Sequence, residues 1–517
     1  MAEKINTVIK SENLIEYMLE DMYVLCDRDR FGKLGGNWGY KSSELFLDRK
    51  LQFLQASRDL AKSVHVLYGE GKFYAFNGMM YEVIDEVVLK QAYLRLLERF
   101  NVIMMLNDQK AFNDYFLDVI KMYNPLEQKF DVVAFKNGVL DVGSGVFHKH
   151  NPKYHCTYYH NYNYQPKADC PMWKDFLREV LPDRNARLTL QMYMGLGLIE
   201  RNTVYTQEEA ENGGSVELCL LLIGGGSNGK SVVFNTAMGV FGSRRISGVD
   251  YEDLVSEGDE GMRARSLMRG KIFNWCSDAS PRQFGRKTDK FKRIVSGEPI
   301  TDRKIGGNVA ENYQCPYLIF NLNDIPLTDD KSYGFIRRLQ YIPFNVTIPR
   351  EKQNTALSFE LQKEYPGIFN WVMRGCRAIK NRGFQFPDSD GQRRYLLLTK
   401  LNACPVLAWV DAYGIRAKGK TSEPYLELDT KEICRLVTRF AQDNGYYDDV
   451  HANGIGRALT GKVGTEGVVF YKKHTAEGNF YRFYGVTREY LEQPIHLLTD
   501  EMPEVENVRN LCFDDDD

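Results

Sequence analysis

The sequence predicts an α/β fold with a mostly helical N-terminal region and a C-terminal α+β domain, on three observations. An unbroken apolar run, Leu218 to Ile223, is followed by Gly224, four residues and then Gly229-Lys230-Ser231, which is strand, loop and helix in order. Residues 1–125 carry amphipathic helical periodicity interrupted by one hairpin signal. Beyond residue 400, amphipathic helices precede two strands rich in Tyr, Phe and Lys.

With 517 residues the chain holds several domains. Its 43% hydrophobic and 26% charged composition is that of an ordinary globular protein. No apolar run approaches membrane-spanning length, and Met1 to Asn6 lacks the apolar core of a secretory signal, so the expectation is a cytoplasmic protein without membrane contact. The ten cysteines include no C-x-x-C pair and read as reduced, mostly buried thiols. At a net charge of −2, any nucleic-acid contact must come from a local basic surface.

Residues 1–125 predict helices from Ser11 to Leu25, Ser42 to Val66, Glu86 to Arg99 and Gln109 to Tyr123, with a hairpin around Asn77-Gly78. Asp27 and Asp29 form a D-x-D pair that reads as an acidic turn, not a metal site. Residues 126–205 predict a second α+β domain. It opens with a hairpin turning at Asn137-Gly138 and carries helices from Pro171 and from Asp183 to Ile199. Its cluster of His148, His150, His155, Cys156, His160 and Cys170 has no zinc spacing and reads as strand packing. A nucleotide-handling core is expected over 206–350, opened by a polar linker at 208–214. A helical lid over 351–398 follows, then a domain over 399–510 and an acidic tail over 511–517. In the 399–510 segment, helices ahead of a basic, aromatic hairpin suggest a winged-helix-like module.

The chemistry concentrates in the core. Gly224, Gly225, Gly226, Ser227, Asn228 and Gly229 let backbone N–H groups converge on an anion. Lys230 can reach β and γ phosphates, Ser231 can ligate Mg²⁺, and with Val232 they start a helix whose positive end faces the same anion. ATP and Mg²⁺ are therefore the expected ligands. Downstream, Lys271 to Asp278 is a buried-strand pattern ending in a carboxylate, placing Asp278 as the second Mg²⁺-side residue. Ser277 stands where a second acid is usual, so Asp278 serves both metal and water, or another acid joins it. A second buried strand, Leu318 to Pro326, offers Asn323 at its C-terminal end, better placed than Asn321 to orient an attacking water. Arg337 and Arg338 offer guanidinium groups for transition-state charge. Between Arg282 and Lys304, eight bases face three acids, a net +5 in a chain that is −2 overall. Lys292, Arg303, Lys304, Gly306, Gly307 and Asn308 are the candidate nucleic-acid contacts, the last five at an expected hairpin tip.

These motifs resemble the superfamily 3 helicases, a branch of the AAA+ P-loop ATPases, and more closely the helicase part of the poxvirus-type and phage primase-helicase family. The resemblance rests on Gly224 to Ser231, Phe291 to Arg303, Asn323-Asp-Ile-Pro326 and Arg337 to Phe344. Upstream it adds Asn137-Gly-Val-Leu-Asp141 and Ala168 to Leu177. It implies a hexameric ring driven by ATP along single-stranded or forked DNA, 3′ to 5′, during replication of a phage or mobile element in a bacterial cytoplasm. Primase and single-strand-binding protein are the implied replication partners. It also implies that Lys230, Ser231, Asp278 and Asn323 act on one subunit's nucleotide while an arginine comes from the neighbour, and that Lys304 to Asn308 project into the channel. The family often has Ser-Glu where this chain has Ser277-Asp278, and residues 1–125 show no primase domain. The rival readings are an AAA+ loader or remodelling ATPase, or a replication initiator, neither unwinding processively.

Overall fold

The computed structural model describes residues 13–38, 43–127, 129, 131–199, 201, 216–281, 284–303, 309–312, 315–326, 328, 330, 332–446, 450–461, 469–476 and 478–497. The expected tail at 511–517, the linker at 208–214 and the hairpin tip at 304–308 lie outside them. Two compact units emerge. The first comprises Met1–Asp169, Leu198–Glu200 and Tyr365–Asn370, and the second comprises Cys170–Gly197, Arg201–Glu364 and Trp371–Asp517.

In the first unit, helices Leu14–Leu25, Ser43–Ser63, Glu86–Arg99 and Leu106–Tyr123 pack around Phe31, Phe53, Tyr93 and Phe116. The expected helices are therefore present, the last starting three residues earlier than the periodicity predicts. Strands were under-read. Gly36–Asn37 (β1) pairs in parallel with Val102–Ile103 (β5), and Val66–Gly69 (β2), Lys72–Phe76 (β3) and Tyr81–Ile84 (β4) form an antiparallel sheet. The β2–β3 turn at Glu70-Gly71 carries two positive φ angles, and Asn77 seats the next turn by accepting from the N–H groups of Met79 and Met80. Asp27 accepts from the N–H of Arg30 and so caps the short helix Arg28–Lys33.

Val132–Phe135 (β6), Gly138–Asp141 (β7) and Phe147–His148 (β8) form a second antiparallel sheet. The turn falls on Lys136-Asn137, one residue before the predicted pair, because Gly138 is already in register with Phe135. Gly138 is needed for close approach: a Cβ there would lie 2.3 Å from the carbonyl oxygen of His148. In the histidine cluster, the ring of His160 packs on Phe135 and Phe369, and His150 bonds the Lys136 carbonyl.

The second unit is built on a five-stranded parallel sheet: Cys219–Ile223 (β9), Ile246–Ser247 (β10), Phe273–Ala279 (β11), Tyr317–Leu322 (β14) and Leu339–Pro343 (β15), in the order β10-β11-β14-β9-β15. Parallel strands covered on both faces read as continuous apolar runs, and every residue of β9 and β14 is buried. A side hairpin, Ile300–Arg303 (β12) with Val309–Asn312 (β13), stands apart from this sheet. The exposed edge of β15 is closed by helix Asp390–Ala403. Gln392 on that helix accepts from the Tyr341 N–H and donates to the Leu339 carbonyl at 3.1 Å, a side chain standing in for the next strand.

The C-terminal part has its own core around Trp409, Val437, Leu459 and Phe483. Helix Pro405–Ala412, strand Tyr425–Asp429 (β16), helices Thr430–Asp443 and Ala452–Leu459, and strands Lys472–Thr475 (β17) and Gly478–Tyr484 (β18) follow in order. The sheet order is β16-β18-β17. The sequence reading missed β16, although Leu426 and Leu428 alternate with Glu427 and Asp429.

Candidate nucleotide site

The glycine-rich segment Gly224–Gly229 connects β9 to helix Lys230–Phe241, and its shape is set by contacts on three sides. A Cβ on Gly224 would come within 2.4 Å of both the Phe344 carbonyl oxygen and the Asn228 side chain. A Cβ on Gly229 (φ +89°) would come 2.9 Å from the Phe176 ring and 3.0 Å from Val180. Phe176 and Val180 belong to helix Pro171–Val180, whose first N–H groups, on Met172 and Trp173, donate to the carboxylate of Glu364 at 3.1 and 3.0 Å. By contrast, a Cβ on Gly225 or Gly226 would meet nothing within 4 Å. The loop is thus tight where it faces the fold and open at its crown.

Asn228 acts as a strut. Its amide donates to Gly225 O (2.6 Å) and Phe344 O (3.2 Å), and its Oδ1 accepts from Lys230 Nζ at 3.2 Å. Ser227, at φ +58°, accepts from the Ile348 N–H at 2.8 Å. Lys230 is buried, and its ammonium also donates to the carbonyls of Gly224 and Gly225. Burial lowers its pKa, partly opposed by the negative charge of Asp278, so those two side chains share one electrostatic neighbourhood. Ser231 is exposed and Val232 half-buried on the first helical turn.

Asp278 is exposed near the end of β11, where a register shift between Cys276 and Ala279 breaks the pairing with β14. Buried Asn274 ties β11 to the chain after β10: its amide donates to Val249 O, and its Oδ1 accepts from the Val249 N–H and the Ser247 hydroxyl, each at 2.8 Å. That tie places Asp250, Glu252 and Asp253 in a cleft of about 160 Å³ with Asp278. The Cys276 thiol donates to Asp250 at 2.9 Å, and burial with this carboxylate pushes its pKa up to about 12. The acidic trio escaped sequence reading because β10 is only two residues long and gives no strand signal.

Asn321 is buried within β14, and its Oδ1 accepts from Trp275 Nε1 at 3.0 Å. Asn323 lies one residue beyond the strand end and is exposed. The C-terminal ends of the parallel strands therefore gather the glycine loop, Asp278 and Asn323 on one edge.

The arginines sit elsewhere. The Cys219 N–H, at the start of β9, donates to Arg338 O at 2.7 Å, so Arg337 and Arg338 lie at the opposite end of the sheet from the loop. The five residues of β9 separate the two ends by about 15 Å. Arg338 is largely buried, bonding Ser296 Oγ (2.8 and 3.3 Å), Glu217 (3.2 Å) and the Gly334 carbonyl. Arg337 is more exposed, its contact being Glu217 at 3.1 Å. Glu217 carries no motif of its own, and its role becomes visible only once both arginines converge on it.

The candidate nucleic-acid residues divide. Lys304, Gly306, Gly307 and Asn308 lie outside the described residues. Lys292, on helix Thr288–Val295, is paired with Asp330 (3.1 Å) and Asp289 (3.0 Å), and Arg303 with Asp259 (3.2 Å). Lys290 and Arg293 pair with Glu257 and Glu298. Asp330, Asp259 and Glu257 from outside the stretch thus offset part of its +5, whereas Asp289 and Glu298 lie within it and are already counted.

Residues 61–182 match the family described as "D5 N terminal like", and residues 222–338 match a "family of unknown function (DUF5906)". Similar solved structures include "The apo structure of NrS-1 C terminal region (305-718)", at 13% identity and a TM-score of 0.43, covering 82% of this chain and 96% of that one. Two A-form apo structures of the same NrS-1 region have 12% identity and TM-scores of 0.44. They cover 82% and 83% of this chain and 96% and 98% of theirs. Among the described residues no helix is long and apolar enough to cross a membrane.

Proposed function

We propose that the chain is an ATP-driven replicative DNA helicase of the superfamily 3 AAA+ type, working as a ring on single-stranded DNA with 3′ to 5′ polarity. One observation carries this reading: the loop, Asp278 and Asn323 share one end of the sheet, whereas Arg337 and Arg338 occupy the other. An arginine about 15 Å from its own subunit's loop serves a nucleotide held by a neighbour. The D5-type match over 61–182 supports the poxvirus-type primase-helicase affiliation.

The residues fit a magnesium nucleotide. The crown at Gly225 and Gly226 is open to phosphate oxygens, and Lys230 supplies a buried cation beside it. Ser231 and Asp278 would hold Mg²⁺, which neutralises charge on the β and γ oxygens when bound. Lys230 exchanges its loop carbonyls for phosphate oxygens. Asn323 orients the attacking water, and Asp278 accepts its proton directly or with a carboxylate of the adjoining cleft. The neighbour's Arg337 stabilises the charge that develops on the transferring phosphoryl group. The polar crown and exposed strand ends leave the nucleotide accessible between subunits.

The test combines ATPase and strand-displacement assays on 3′- and 5′-tailed forked DNA with particle size measured with and without a nonhydrolysed ATP analogue. Unwinding of the 3′-tailed substrate and ATP-dependent growth to a hexamer are expected, and Lys230→Ala should lower ATP turnover by about a hundredfold or more. Hydrolysis without strand displacement would replace the helicase by a loader or remodelling ATPase. Near wild-type turnover in Lys230→Ala would remove the nucleotide site itself.

A further inference from the structure

We propose that Glu217 is a positioning residue that holds the Arg337 guanidinium ready for the nucleotide of the neighbouring subunit. This rests on the reading of Arg337 as the arginine that stabilises a neighbour's transferring phosphoryl group. Glu217 belongs to no motif. It stands two residues ahead of β9, and Arg337 stands two residues ahead of β15. The two strands pair in parallel from Cys219 and Leu339 onward, so their register brings Glu217 and Arg337 abreast. The bond from the Cys219 N–H to Arg338 O, at 2.7 Å, ties the two backbones together just beside them.

One carboxylate oxygen, Oε2 of Glu217, accepts from both arginines, from Nη2 of Arg337 at 3.1 Å and from Nη2 of Arg338 at 3.2 Å. The arginines differ in what else holds them. Arg338 donates to Ser296 Oγ through Nε (3.3 Å) and Nη2 (2.8 Å), and to the Gly334 carbonyl through Nη1, so every nitrogen of its guanidinium is engaged. Ser296 closes helix Thr288–Val295 and Gly334 belongs to helix Tyr333–Ile336, so two elements besides Glu217 fix this group. Arg337 meets Glu217 through Nη2, and its Nε and Nη1 have no partner among the described residues. Its side chain is 43% exposed against 12% for Arg338, so Arg337 is the one able to reach outward.

These contacts form an order of support. Arg338 is anchored to the fold, it locates the Glu217 carboxylate, and that carboxylate holds one corner of Arg337. A guanidinium donates from all three of its nitrogens in a rigid fork, so a contact confined to Nη2 leaves the rest of the fork open to phosphate oxygens. One carboxylate between two guanidiniums also leaves an excess positive charge, and the group stays complementary to a polyphosphate. Without Glu217, repulsion from Arg338 would drive the freer arginine away, and its long side chain would sample many rotamers. The half-exposed pair of Glu217 and Arg337 contributes little to stability. Its effect is on alignment, which governs rate when a charged group must already stand in place as the phosphoryl group transfers. A latch that kept Arg337 from its target would cover the donors that Glu217 leaves open.

The test is a double-mutant cycle over Glu217 and Arg337, read by steady-state ATPase kinetics of the full chain with saturating single-stranded DNA. Arg337→Ala should lower kcat by about a hundredfold or more. Glu217→Ala should lower kcat by about tenfold or more while KM stays within about twofold of wild type. Its affinity for a fluorescent nonhydrolysed ATP analogue should also stay within about twofold, which reports that the variant is folded and its own nucleotide loop intact. In the Arg337→Ala background, Glu217→Ala should lower kcat by less than about twofold further, because a residue that acts through Arg337 has nothing left to place. A merely structural role would instead persist in that background. A kcat of Glu217→Ala within about twofold of wild type, a rise in kcat as release of a latch would give, or a loss of equal size in both backgrounds would each overturn the proposal and leave the shared-nucleotide reading standing. Unchanged turnover in Arg337→Ala would remove that reading of Arg337, and the role of Glu217 with it.

Discussion

Asp330 shows how a single side chain organises the basic stretch. Burial pushes its carboxyl pKa up, but hydrogen bonds from Ser332, Thr288 and Lys292 outweigh that and hold it below the usual value. A folded pKa below the unfolded one means full stabilisation above the free-carboxyl range and loss as the pH falls through the depressed value. Thermal midpoints measured from neutral pH to below about 4 should therefore decline on the acid side, and Asp330→Asn should flatten that decline. Asp330 is 38 residues from Lys292, so no local pattern in the sequence links the pair. The two arginines separate at the same scale. Arg338→Ala should cost about 2 kcal/mol in denaturant unfolding, since it strips a largely buried guanidinium from Ser296, Glu217 and a backbone carbonyl. Arg337→Ala should leave stability within about 0.5 kcal/mol. Mixed into wild type, Arg337→Ala protein should depress ATPase activity more than in proportion. A strictly linear loss would argue against shared sites.

At the scale of elements, the β12–β13 hairpin is bolted down by buried Arg265 and half-buried Arg269. Arg265 is 2% exposed, and its guanidinium donates to Leu254 O and Ser256 O at 3.1 and 2.8 Å and to Thr301 O on β12 at 3.2 Å. Arg269 pairs with fully buried Asp302. Leu254 belongs to the short helix Tyr251–Val255 at the acidic cleft, so Arg265 joins the cleft to the hairpin base. Arg265→Met should lower stability by about 3 kcal/mol, because three carbonyls, one of them buried, lose a charged donor. In the protein that remains folded, DNA stimulation of ATPase should fall more than basal turnover. None of this was legible in the sequence, where Arg265 reads as one charge in a polar helix. Long apolar strands flanked by loops were legible, as β9, β11 and β14 are, because burial on both faces leaves a continuous pattern. Two-residue strands such as β10 were not, since their pairing is decided by tertiary contacts and not by periodicity.

For the whole molecule, the reading of a nucleotide shared between subunits turns on which surfaces remain for association. An edge strand with free N–H and C=O groups is a template on which another chain can add by main-chain pairing. On β15 that template is already occupied by the amide of Gln392, which satisfies Tyr341 and Leu339 from within the same chain. A second chain therefore cannot add to this edge by main-chain pairing at Leu339 and Tyr341 without displacing Gln392. Gln392→Leu removes the plug at nearly equal volume. Purified variant held at high concentration should accumulate sheet-rich, thioflavin-positive aggregate faster than wild type, whereas matched aggregation rates would show that the edge is shielded by helix Asp390–Ala403 alone. An open sheet edge is a standing route to irreversible aggregation, and on β15 one glutamine side chain fills two of the main-chain positions that such growth would use.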